Sequence, residues 1–118
     1  MDPKALVDRY LSAPVRTANT VVQTIADQMG GVRRLKAFLG ATFVGAVDPN
    51  TLGIKFPNKQ RSKGNYVEVE YMRGSDDYVV RFYNLSNTDK KEVKVIRGAY
   101  AEDLVRIFEQ QTGWYLRM

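Results

Sequence analysis

Apolar positions along this chain recur first at steps of three and four and later at steps of two, so the sequence divides into a helical part and a sheet part. Val15, Ala18, Val22, Ile25 and Met29 form one narrow stripe, which predicts a helix from Pro14 or Val15 to Met29. Gly30-Gly31 stops it. Val32 to Leu39 follows as a short helix with Val32, Leu35, Phe38 and Leu39 facing inward and Arg33, Arg34 and Lys36 facing water. Ahead of both, Asp2-Pro3 starts a helix from Pro3 to about Leu11, which Ser12-Ala13-Pro14 interrupts. From Thr42 the alternation predicts strands over Phe43 to Val47 and Thr51 to Phe56, turned by Asp48-Pro49-Asn50. Pro57 to Gly64 reads as an exposed loop. Asn65 to Met72 and Tyr78 to Leu85 read as a hairpin with one dry and one wet face, and Glu92 to Arg97 as the last strand. Gly98 is expected to release the chain into a helix from about Tyr100 to Gln111. Thr112-Gly113 ends that helix, and Trp114-Tyr115-Leu116 folds back on the core.

Helices, then an antiparallel meander of four to five strands, then a helix packed on one sheet face make an α+β fold rather than a βαβ repeat. At 118 residues the chain has volume for one core. Residues 24–118 are expected to form that single α+β domain, with residues 1–23 as an N-terminal helical arm. The narrow stripe needs a partner. Packing within the chain is expected at Ile25 and Met29, and a homodimer through the N-terminal helices near Val15 and Ala18.

Composition removes more chemistry than it suggests. The chain has no Cys and no His, which excludes disulfides, thiol nucleophiles, imidazole catalysis and the usual zinc sites. No apolar run approaches the roughly 18 residues that would span a bilayer, so no membrane partner is expected. The start lacks a basic segment leading into an apolar one, which points to a cytoplasmic location. Eighteen basic against thirteen acidic residues give a net charge of +5. Between Gly31 and Lys63 seven basic residues face Asp48 alone, so the excess is local and suited to an anionic partner.

Those seven are the candidate nucleic-acid-binding residues: Arg33, Arg34, Lys36, Lys55, Lys59, Arg61 and Lys63. Lys59, Arg61 and Lys63 alternate along the exposed loop, where they can follow a phosphate backbone and displace its counterions. Thr24 to Gly40 has the outline of a helix-turn-helix with a short second helix, although a helix pair packed on a sheet accounts equally for Leu35, Phe38 and Leu39. Tyr66 and Tyr83 on the wet sheet face would offer stacking surfaces, but Glu68 and Glu70 beside them repel phosphate. Arg81, Lys55 and Lys94 read as cross-strand ion-pair partners. Glu92-x-Lys94 matches the carboxylate-and-lysine element of metal-dependent nucleases without a second carboxylate to complete it. Glu102-Asp103 complements the dipole of its helix start. The expectation is therefore no catalytic residue, no metal and no cofactor.

Gly30-Gly31, Leu52-Gly53-Ile54-Lys55-Phe56, Asn65-Tyr66-Val67-Glu68-Val69, Tyr78-Val79-Val80-Arg81-Phe82, Tyr100-Ala101, Leu104, Phe108 and Thr112-Gly113-Trp114-Tyr115 occur in order over Thr24 to Met118. In this pattern the chain resembles a family of small orphan proteins carried by bacteriophages and plasmids. Trp114 stands where the family has an aliphatic residue, and Met1 to Gln23 is an addition. The resemblance implies a mobile-element accessory protein and transfers no functional residue. Two readings follow. One is a basic, non-enzymatic accessory protein that binds nucleic acid, single- or double-stranded, through the loop and helix. The other is a protein-interaction module with an acidic protein surface as partner, such as an inhibitor of a host enzyme.

Overall fold

A computed structural model describes residues 20–57 and 63–116. Two helices, α1 (Thr20–Gln28) and α2 (Val32–Leu39), lead into strands β1 (Phe43–Asp48), β2 (Thr51–Lys55), β3 (Tyr66–Met72), β4 (Asp77–Leu85) and β5 (Lys90–Ala99). A 3-10 turn at Ala101–Asp103 then opens α3 (Leu104–Thr112). The strands form one antiparallel sheet in the order β1-β2-β3-β4-β5. This is the α+β meander that the change of period predicts. The expected Pro3 to Leu11 helix, the start of the Val15 to Met29 stripe and most of the 1–23 arm lie outside the described residues.

Register explains which face is dry. Val44, Ile54, Val67 and Phe82 stand in one cross-strand row, and Ala46, Leu52, Val69, Val80 and Ile96 in the next. All three helices cover these rows, with Val22, Ile25 and Ala26 from α1 and Met29 just after it, Leu35 and Leu39 from α2, and Leu104, Ile107 and Phe108 from α3 in the same cluster. Phe108 meets Phe56 edge-on, with ring centroids 5.1 Å apart. Leu116 is buried behind α3, as expected of a tail that folds back, and its N–H donates to Glu109 Oε2 at 2.9 Å. The within-chain seam at Ile25 and Met29 is therefore present.

Gly98 corrects one expectation. It adopts φ 71° within β5, at a shift of register between Tyr78 and Val80, so the strand bulges there and continues to Ala99. A second shift between Phe82 and Tyr83 places Val93 as an extra residue and lets it pack on the main core. Phe38 corrects another. Val32, Leu35 and Leu39 make the inner line of α2, but the helix packs mainly on the edge strand β1, beyond which no further strand of the sheet covers the flank where Phe38 lies 44% exposed.

A candidate nucleic-acid interface

α2 starts without help at its N-terminus. Gly31 provides no side-chain cap, the first turn has no acidic residue, and Arg33 and Arg34 occupy it instead. Cations at this end oppose the helix dipole at a cost of about 0.3–1 kcal/mol each. Arg33, Arg34 and Lys36 are all exposed, and among the described residues none has an ion-pair partner. The Arg34 guanidinium lies 5.7 Å from the centroid of the exposed Phe38 ring, one turn on. The helix closes at Gly40, in the left-handed region, where an added Cβ would stand 3.8 Å from the Pro57 ring.

Pro57 connects α2 to the rest of the basic segment. Its carbonyl accepts a 2.8 Å hydrogen bond from Trp114 Nε1, so the loop departs from a point held by the tail on one side and faced by Gly40 on the other. Lys59 and Arg61 lie outside the described residues. Where the chain returns, Lys63 precedes Gly64, whose φ of 91° and close approach to the Tyr83 carbonyl leave no room for a side chain. Asn65 then fastens the loop to β4, since Leu85 N–H donates to Oδ1 at 2.7 Å and Nδ2 donates to the Leu85 carbonyl at 3.0 Å.

Lys55 is placed apart from the α2 cations. It shares a row with Tyr66 and Tyr83 on the helix-free face, because Ile54 before it belongs to the core face. Half-buried and without a carboxylate partner among the described residues, its ammonium has a pKa lowered by burial. The structure thus brings Arg33, Arg34 and Lys36 together on α2, sets Lys55 on the helix-free face across from that helix, and leaves Lys63 where the loop returns at Gly64.

The helix-free face is closed as a stacking platform. Tyr66 is fully buried over Gly53, its hydroxyl donates to Glu68 Oε2 at 3.0 Å, and its ring lies 6.0 Å from that of Tyr83. Lys90 Nζ sits 4.4 Å from the Tyr83 centroid and 3.0 Å from Glu68 Oε2, so a cation covers the ring and neutralises the carboxylate. Burial, then Glu68, push the Tyr83 hydroxyl up to about 12 and Tyr66 further still. Arg81 forms the cross-strand ion pair expected of it, with Glu70, diagonal to it on β3, at 2.8 Å. Lys90 is the residue that sequence reasoning missed, since only the bulge in β5 brings it across Tyr83, and no spacing encodes a bulge.

Lys94 has no carboxylate partner among the described residues. It lines an open groove of about 410 Å³ between β5 and α3 with Arg97, Arg106 and Gln110, where Arg106 is held by Asp103 at 3.0 Å. Among the described residues no group of three or more Asp or Glu side chains converges on a point that could hold a metal, and no helix is long and apolar enough to cross a membrane. No protein-family model, curated protein or solved structure matches the chain.

Proposed function

We propose that this protein is a basic, non-enzymatic accessory protein of a phage or other mobile element and that it binds nucleic acid through the solvent face of α2 and the basic loop that follows Pro57. The observation that supports this most is the pair Arg33 and Arg34 in a first turn that has no cap and no acidic residue, with Lys36 exposed further along the same helix. A sequence under stability pressure alone gains by placing Asp, Ser or Glu there. A phosphate at that end turns two unpaired first-turn cations and the free amides beside them from a cost into a binding site, with Lys36 one turn on. The test is a titration by fluorescence anisotropy against single-stranded DNA, duplex DNA and RNA over a salt series. The expected result is an affinity that falls linearly on a log–log plot, by about 0.9 per contacted duplex phosphate. Absence of binding to all three polymers at low salt would overturn the proposal.

A second reading, a protein-interaction module such as an inhibitor of a host enzyme, draws on the groove between β5 and α3. β5 is an edge strand from Lys90 to Ala99, and Lys94, Arg97 and Arg106 beside it suit an acidic protein surface. Charge reversal at Lys94 and Arg97 distinguishes the two readings. It should abolish capture of an acidic protein partner while leaving nucleic-acid binding through α2 in place.

A further inference from the structure

We infer that the nucleic acid bound at α2 is single-stranded, with bases stacking on Phe38 and Tyr115; the inference rests on the nucleic-acid reading above. Strand-type selection requires exposed rings among cations, because a duplex hides its base faces in its own stack and presents phosphates to any cation alike. The two tyrosines whose placement in the sheet first suggests such a platform are spent internally, Tyr66 under Tyr83 and Tyr83 under Lys90. The rings left to solvent lie elsewhere. Phe38 is 44% exposed and Tyr115 71% exposed, and each is within two residues of a position beside Pro57, Phe38 by way of Gly40, where an added Cβ would stand 3.8 Å from the Pro57 ring, and Tyr115 by way of Trp114, which donates to the Pro57 carbonyl. Phe38 is also one turn from Arg34, whose guanidinium already lies against its ring, so a base arriving there meets an aromatic face and a planar cation together.

The charge around these rings selects the occupant. A second copy of this chain would bring Arg33, Arg34 and Lys36 against their own counterparts, and like charges at close range oppose that pairing. A single strand supplies both the anion and the flat apolar surface. Tyr100, 55% exposed, provides an internal control, since it follows Ala99 at the opposite end of the strands from Pro57.

The experiment measures anisotropy of a labelled oligothymidine and of a mixed-sequence duplex of equal length with wild type, Phe38→Ala, Tyr115→Ala and Tyr100→Ala. Loss of one stacked base costs at least about fivefold in affinity. Phe38→Ala and Tyr115→Ala should each weaken oligothymidine binding by that factor and duplex binding by less than about twofold. Phe38→Trp should retain single-strand affinity, and Tyr100→Ala should change neither. Equal affinity for both polymers, unmoved by Phe38→Ala and Tyr115→Ala, would overturn this inference and leave the nucleic-acid reading standing. Binding to neither polymer at low salt would overturn this inference, and absence of RNA binding as well would overturn both. Unchanged melting temperatures of the two alanine variants show that their folds are intact.

Discussion

Gly53 and Tyr66 should behave as one unit, which a double-mutant cycle measures. An ideal Cβ on Gly53 would stand 2.6 Å from the Tyr66 hydroxyl oxygen and 3.3 Å from two ring carbons. Tyr66 has no freedom to retreat, being fully buried and hydrogen-bonded to Glu68. Gly53→Ala should therefore cost about 1–3 kcal/mol by overpacking. A gain of about 0.4–1 kcal/mol offsets part of this, because alanine narrows the unfolded ensemble and the strand backbone at Gly53 accepts a side chain. Tyr66→Phe should cost about 1 kcal/mol for its hydrogen bond, moderated because Lys90 still pairs with Glu68. In the double variant the oxygen is gone and the nearest atoms are ring carbons that need shift only a few tenths of an ångström. Most of the alanine penalty should then vanish, leaving a coupling of about 1–2 kcal/mol in favour of the pair. Urea denaturation followed by the fluorescence of Trp114, the one tryptophan, gives all four free energies. Single costs that add to within about 0.5 kcal/mol would refute the packing described for the helix-free face.

Ile25→Asp places a charge at a fully buried position of the core and should cost more than about 4 kcal/mol; circular dichroism should show an unfolded chain, and a folded monomer derived from a dimer would contradict the within-chain seam. Asp103 lies below the ordinary carboxylate range because Arg106 and then the Tyr100 N–H donate to it. A lowered folded value contributes stability above the unfolded pKa near 3.9 that is lost as pH falls through the folded value. Asp103→Asn should therefore melt earlier than wild type at pH 7, and the two should converge in acid. The Tyr83 value of about 12, above its unfolded 10, gives the opposite sign, with stability present below pH 10 and lost as pH rises through about 12. Absorbance at 295 nm near pH 11 should accordingly differ little between wild type and Tyr83→Phe.

The helix over Val32 to Leu39 and the hairpin of β3 and β4 were legible because each has a clean period bounded by glycine or turn residues, so local pattern and tertiary burial agree. Phe38 was misread because periodicity ranks a side chain by its angle on the helix and does not reveal that the sheet stops at β1. Tyr66 shows the limit on the other face. Alternation assigned it to the wet side, and the register does place it there, but its burial comes from Tyr83 and Lys90, which β4 and a bulged β5 bring in from far along the chain. The cationic candidates were legible as residue types. Their partition between α2 and the helix-free face follows from the parity of Ile54 and Lys55 on β2, and Trp114 holding the Pro57 carbonyl is a contact that no spacing announces.

The account rests on the α2 cations meeting phosphate, and the most direct measurement compares the salt dependence of DNA binding for wild type and the variant Arg33→Gln, Arg34→Gln, Lys36→Gln. These side chains are exposed and without ion-pair partners among the described residues, so the variant should fold with stability close to wild type, since relief of the two first-turn cations offsets the loss of Lys36 in the last turn and of the Arg34 contact with Phe38. Its log–log slope should be shallower than that of wild type by about 2–3, the counterions of three lost phosphate contacts. A folded triple variant that binds with the wild-type slope and affinity would contradict the account.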